Sequence, residues 1–248
     1  MDAETATLPE LAAEYSAAVT ESARFAFLVR DTDLQLEQIK KLSVLKDRLK
    51  RFKYGAISAK DEAASNLFFH LQCGLNAMIS FLRMWVFLKE PDYYAAWDRL
   101  IDAQEYISLA MRAADGGVGL ENFLARLKRA EDVIFPGYSV YNSWGVIICG
   151  GRCSIRDRPF GDCEHIEGLI YWGRLCVRVG PEFVEMDHVA IVDEPRDRKC
   201  VITEITGDDG YYLDYMTLKR TKPAESKADG EAGRLTAKIF CNGMLEID

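Results

Sequence analysis

Between positions 149 and 176 lie four cysteines and one histidine, the soft donors that hold metal ions: Cys149, Cys153, Cys163, His165 and Cys176. Three of them fall in the run Cys153-Ser-Ile-Arg156-Asp-Arg-Pro-Phe-Gly-Asp-Cys163-Glu-His165, which follows Cys149-Gly-Gly-Arg. Thiolates and an imidazole on short loops are the donor set of a tetrahedral zinc site, and the glycines and Pro159 let such loops turn tightly. A zinc ribbon ordinarily supplies two ligands as a C-x-x-C pair. Here Arg156 stands where that pair would be completed after Cys153, so a fourth ligand must come from elsewhere, with Cys149 nearest in sequence and Cys176 next. Thiolate-rich sets close the coordination sphere, and no Glu-x-x-His or carboxylate pair is placed to activate water. The expected ion is therefore a structural zinc. The competing reading treats the thiols as small buried hydrophobes and His165 as a satisfied histidine; the crowding of cysteines between Cys149 and Cys200 counts against it.

Nucleophilic chemistry needs a base within reach of a nucleophile. His165 and His188 could serve as bases, but Ser154 is the only serine in the cluster and reads more simply as a loop residue. A pairing of Cys163 with His165 or His188 is conceivable, yet metal ligation accounts for Cys163 and His165 with less machinery. Cys149-Gly150-Gly151-Arg152 lacks the lysine and the following helix of a phosphate-binding loop, which disfavours nucleotide hydrolysis. No catalytic residue is assigned.

The run CSIRDRPFGDCEHIEGLIYWGRLC resembles a module of uncharacterised bacterial and phage-associated proteins, of the form C-x-x-C-G, D-C-x-H-x-x-G, Y-x-G-x-x-C. Cys153, Asp162, Cys163, His165, Gly168, Tyr171, Gly173 and Cys176 match that form; Arg156 and Asp157 depart from it, and the departure falls on a presumed ligand. The segment His188-Val-Ala-Ile-Val-Asp193-Glu-Pro195 is similar to the E-V-S-L-V-x-x-P-A stretch that accompanies the module and occurs near the end of prohead-protease-like domains. The resemblance implies a phage-related or bacterial-defence setting. It also brings an alternative function, a protease-related domain that is active or degenerate.

These residues must be positioned by the rest of a 248-residue chain that is 49% hydrophobic and 28% charged, enough to bury one large core or two modest ones. The expected class is α+β: an antiparallel helical bundle over 1–135, then a small β-rich domain over 136–248 carrying the zinc-ribbon-like cluster, with a mobile loop at 221–233. Apolar residues recur at helical spacing through Leu34, Ile39, Leu42, Leu45, Leu49 and Phe52, predicting one or two helices from Leu8 to Phe52 with a stop at Tyr54-Gly55. Ser58 suits the start of a helix running to Lys89, where Pro91 interrupts it. Asp92 to Ala114 and Leu120 to Val133 give two more, parted by Gly116-Gly117. Beyond Pro136, β-branched clusters at Val146-Ile147-Ile148, Val177–Val179, His188–Val192 and Cys200–Ile205 predict strands. Leu235–Cys241 and Met244–Ile247 predict a last hairpin.

The net charge of -8 and a pI near 5.1 disfavour a protein that coats nucleic acid. Lys40, Lys41, Lys46, Arg48, Lys50, Arg51 and Lys53 form a basic run, read as a solvated helix face, with contact to nucleic acid or an acidic partner as the sharper alternative. Leu67 to Leu88 is long enough to cross a bilayer, but His70, Gln72, Asn76 and Arg83 suit a core helix better. Acidic residues stand where a secretory signal carries positive charge, so a cytoplasmic location is expected, where thiols stay reduced. Together these features predict a non-enzymatic interaction or assembly module that meets a protein partner or its own copy through the helical domain. Nucleic-acid binding is a further alternative.

Overall fold

The computed structural model describes residues 6–114, 118–137, 141–206, 211–222 and 235–238. Its helices are α1 (Leu8–Ala23), α2 (Thr32–Ser58), α3 (Glu62–Lys89), α4 (Tyr93–Ala113) and α5 (Val118–Ile134), followed by short antiparallel strands, an α+β arrangement. Local chemistry sets the helix starts. Thr7 and Glu10 form a reciprocal capping box ahead of α1, with Thr7 N–H donating to Glu10 Oε2 at 2.7 Å. Asp31, Asp61 and Asp92 cap α2, α3 and α4 by accepting from the N–H groups of Leu34, Ala64 and Ala95.

The stretch from Leu8 to Phe52 is two helices, within the one or two expected, parted by a turn between Ala23 and Asp31. Two boundaries differ from expectation. Tyr54-Gly55 is not a stop: α2 runs on to Ser58, and Lys60, at φ 58°, takes the left-handed position that glycine was expected to fill. Asp61 rather than Ser58 then starts α3. The break expected at Gly116-Gly117 lies outside the described residues.

Every residue of α3 from Phe68 to Leu82 is buried, as expected of a helix that is apolar all round. This is the candidate bilayer-crossing segment, and 78% of its apolar window lies inside the protein, so it is a core helix. His70 and Cys73 are core residues too, with His70 Nδ1 donating to the Ala110 carbonyl of α4 at 2.8 Å. Helix α1 comes so close that a Cβ on Gly74 would stand 2.1 Å from the Tyr15 hydroxyl oxygen. Leu75, Leu82, Met84, Trp97, Leu100 and Ile107 complete a centre in which each buried side chain contributes about 1.5–3 kcal/mol.

The basic run of α2 is not one uniform solvated face. Lys40, Lys41 and Arg51 are exposed, Lys41 pairs with Glu37 at 2.7 Å and Arg48 with Glu14 at 2.7 Å. Lys53 is wholly buried, its ammonium 5.3 Å from the Phe69 ring centre.

The chain forms two compact units that do not follow a single cut at 135/136. Gly150–Pro181 belongs with the helices up to Arg129, and Ala130–Cys149 belongs with Glu182–Met244. In the first unit, β2 (Arg152–Cys153) pairs with β5 (Arg178–Val179) and β3 (Ile170–Tyr171) with β4 (Arg174–Leu175). In the second, β1 (Tyr141–Cys149) and β6 (Glu182–Val192) make an antiparallel ribbon. There β7 (Ile202–Thr206), β8 (Tyr212–Asp214), β9 (Arg220–Thr221) and β10 (Leu235–Ala237) make a sheet of order β10-β7-β8-β9. Phe135, Tyr141, Val201 and Ile202 are the buried apolar residues of this unit among those described, and Arg198 is ion-paired with Glu131. Residues 223–233 of the expected loop, and the hairpin beyond Lys238, lie outside the described residues.

Candidate metal centre

Each loop of Gly150–Pro181 has a local reason for its shape. Cys153 ends β2, and a tight turn follows in which Cys153 N–H donates to Arg158 O at 2.8 Å and Asp157 N–H donates to Cys153 O at 2.8 Å. Asp157 closes that turn at φ 53°, a left-handed position that aspartate tolerates better than most residues. Arg152 Nε, 2.7 Å from Asp157 Oδ1, braces it. A single 3-10 turn, Phe160–Asp162, then leads to Cys163 and His165. Trp172 (φ 53°) and Gly173 (φ 65°) form the two-residue hairpin turn between β3 and β4, which places Cys176 just beyond β4.

Two hydrogen-bonded seams bring these loops together. Cys176 N–H donates to Leu169 O and Gly168 N–H to Cys176 O, both at 2.8 Å. Ser154 Oγ donates to Leu175 O at 3.0 Å and accepts from Val177 N–H at 2.9 Å. The hydroxyl is committed as a brace between strands, which gives Ser154 a structural job. Arg178 stacks on Phe160, 4.5 Å from the ring centre.

The helices hold this assembly within the same unit. Gly173 N–H donates to Asn66 Oδ1 of α3 at 2.8 Å, and Arg112 of α4 donates to Gly168 O. Gly173 lies so close to α3 that a Cβ there would stand 2.4 Å from Ser65 O.

The result is a group made of Cys153, Cys163 and His165, whose ligand atoms all lie within 4.8 Å of one another. Cys153 Sγ is 3.7 Å from His165 Nδ1, Cys163 Sγ is 2.9 Å from the same nitrogen, and Cys176 Sγ is 3.9 Å from Cys153 Sγ. Zinc–sulfur bonds of about 2.3 Å in a tetrahedron put two sulfurs about 3.8 Å apart, and a sulfur and a nitrogen slightly nearer. The Cys153–Cys176 and Cys153–His165 separations match those edges. The Cys163–His165 separation is a hydrogen bond and would lengthen around an ion. Cys153 and Cys176 are buried, Cys163 and His165 half-buried, and the Tyr171 ring meets the imidazole edge-on at 4.4 Å between centres.

The electrostatics suit a thiolate. Burial works to raise the Cys153 thiol pKa, but the N–H groups of Arg156 and Ile155 and side-chain hydrogen bonds to Cys163 and Cys176 hold it below its ordinary value. Cys176 is pushed the other way, by burial first and then by the hydrogen bond to Cys153 and the charge that Cys153 carries. A shared cation would favour the thiolate form of both sulfurs. A Cys-Cys-His group of this geometry could hold a metal ion.

Cys149 is not part of this group. It ends β1, is exposed, and its Sγ donates to Glu182 Oε2 at 3.8 Å. Arg156 is exposed and contributes its backbone N–H to Cys153. His188 is exposed and bonds Asp187 at 2.9 Å. What sequence reasoning missed is the anchoring: Asn66 and Arg112 are helical residues about 40 or more positions from the cysteines of the group, and nothing in their spacing marks them.

No family model, no curated protein and no solved structure matches this chain.

Proposed function

We propose that Cys153, Cys163, His165 and Cys176 bind one structural Zn²⁺, and that the chain is a non-enzymatic interaction or assembly module whose 150–181 segment is locked in shape by that ion. The observation that carries this reading is the 3.9 Å between the sulfurs of Cys153 and Cys176. Two buried thiols, one at the end of β2 and one just beyond β4, sit at the edge length of a zinc tetrahedron, with the imidazole at a third vertex. A set of three sulfurs and one nitrogen leaves no open position for substrate, which favours a structural over a catalytic ion. The likeness of residues 153–176 to a phage-associated module makes a phage or bacterial-defence setting part of the proposal.

Metal analysis of the purified full chain tests it. One zinc per chain is expected, lost on replacing Cys153, Cys163, His165 or Cys176 singly by alanine and kept in Cys149→Ala. Wild-type protein purified without chelators and lacking metal would sink the reading.

A protease-related function is the second reading, and the Asp187–His188 pair supports it, since a carboxylate beside an imidazole can orient a base. The bonding of the Ser154 hydroxyl within its own loops tells against that serine as the nucleophile. Self-processing of purified protein that stops in His188→Ala would favour this alternative. The nucleic-acid reading has less support, because Lys53 is buried and Lys41 and Arg48 are paired with acids.

A further inference from the structure

The ribbon of β1 and β6 has a register that pairs Trp144 with Val189, Val146 with Met186, and Ile148 with Phe183. Paired residues share a face and neighbours along a strand alternate, so these pairs, with Ile191, line one side of the ribbon. Gly145/His188, Ile147/Glu185 and Cys149/Glu182 line the other. Shifts of register at Asp187 and Val184 keep this division intact along β6. The first side is apolar yet open to solvent: Val146 is 38% exposed, Ile148 40%, Met186 48%, Val189 54%, Ile191 57% and Phe183 62%. Together they present on the order of 500 Å² of apolar surface, a patch size that marks an interaction site. A two-stranded ribbon is also marginal alone and gains stability from a second layer.

We propose that this face docks a second copy of the same chain, ribbon on ribbon, as a twofold dimer. The inference rests on the interaction-module reading and gives it a surface and a partner. Area favours it: two such faces brought together bury about 1,000 Å² from their side chains alone, where specific contacts begin. Charge favours it as well. Glu182 and Glu185 are on the opposite side, so two chains of net charge -8 meet there without opposing carboxylates. A twofold axis across the strands sets the Trp144 end of one ribbon over the Phe183 end of its mate, with Val146 and Met186 meeting their own copies at the centre.

Sedimentation equilibrium of the full chain tests the proposal. Wild type is expected to be dimeric at about 10 µM, and Val189→Lys, placed on the apolar face at an exposed position, to weaken association at least about tenfold. Phe183→Glu, near the other end of the ribbon, is the second variant should Val189→Lys fail to accumulate as folded protein. Ile147→Lys, on the polar side, is expected to stay dimeric. A wild type monomeric at about 100 µM overturns the proposal, as does a dimer that Val189→Lys and Phe183→Glu leave intact, or one that Ile147→Lys disrupts equally. Zinc content read on the same samples separates the two readings: a monomer with one zinc overturns the ribbon dimer alone, and a dimer without zinc overturns the metal centre alone.

Discussion

Cys176 Sγ lies 3.9 Å from Cys153 Sγ although 23 residues separate them. The pairing of β2 with β5 and the Trp172-Gly173 hairpin turn close that distance, and both thiols are buried where they meet. Two thiols held this close cannot both ionise without repulsion, so they keep a proton between them or share a cation.

Removing the ion should therefore loosen the 150–181 segment. Ligand bound at about a thousandfold over its dissociation constant stabilises the folded state by about 4 kcal/mol. A strong chelator should lower the midpoint of thermal unfolding by several degrees, and Cys176→Ser should start from the lower midpoint and not respond. Differential scanning calorimetry with and without chelator reads both; an identical midpoint in all four samples would count against the ion.

The seat of Gly173 against α3 gives a prediction that needs no metal. Its φ of 65° is costly for a residue with a side chain, and the added Cβ would press on Ser65 O at 2.4 Å. Gly173→Ala should destabilise the protein by about 1–3 kcal/mol. Denaturant titration reads the change, and a shift below about 0.5 kcal/mol would mean the hairpin does not sit on α3 as described.

The contrast between that hairpin and α3 shows where sequence reading succeeds. Helix α3 is legible in its burial and its end, because its apolar run is continuous and Pro91 follows it, while its start lies at Asp61, beyond the Ser58 that the sequence suggests. The cysteine cluster is legible in kind, since residue type alone marks Cys153, Cys163 and His165. Which further cysteine comes near that group is not, because Cys149 is nearer in sequence while strand pairing brings Cys176 Sγ to 3.9 Å from Cys153 Sγ. The ribbon is half legible: Val146-Ile147-Ile148 and the stretch from His188 to Val192 announce strands, but which side of each is apolar depends on a register with two shifts. Lys53 misleads most, a lysine in a basic run that the fold buries against Phe69.

Alkaline pH should destabilise the helical unit through Cys73. Burial pushes the Cys73 thiol up to about 12 from an ordinary value of 9.0. The folded state thus holds this proton more tightly than the unfolded chain does, and the resulting stability is complete below pH 9 and lost as pH rises from there toward 12. By pH 10 the loss from this group alone is about 1.4 kcal/mol. Tyr15, half-buried beside it and likewise raised to about 12, adds to the effect. Stability measured by urea between pH 8 and pH 10.5 should fall in wild type and fall less in Cys73→Ala. Parallel curves for the two proteins would exclude Cys73 as a source.

Arg156 stands at the position where a C-x-x-C pair would carry its second thiol, and the turn around it already has the needed shape. Its N–H is aimed at Cys153 Sγ, Asp157 takes the left-handed position, and the Arg156 side chain is exposed. A cysteine placed there sits beside the ion site without rebuilding the loop. In a Cys176→Ser background, Arg156→Cys should restore one zinc per chain and return most of the lost thermal midpoint, because three sulfurs and the His165 nitrogen again surround the ion. In the wild-type background the same substitution should leave the stoichiometry at one, since a tetrahedral site has no fifth position. Metal analysis and thermal unfolding of the two single variants and the double variant read the outcome. A double variant as metal-free as Cys176→Ser would mean that the turn does not bring residue 156 to the ion, and that Cys176 is irreplaceable for reasons of packing.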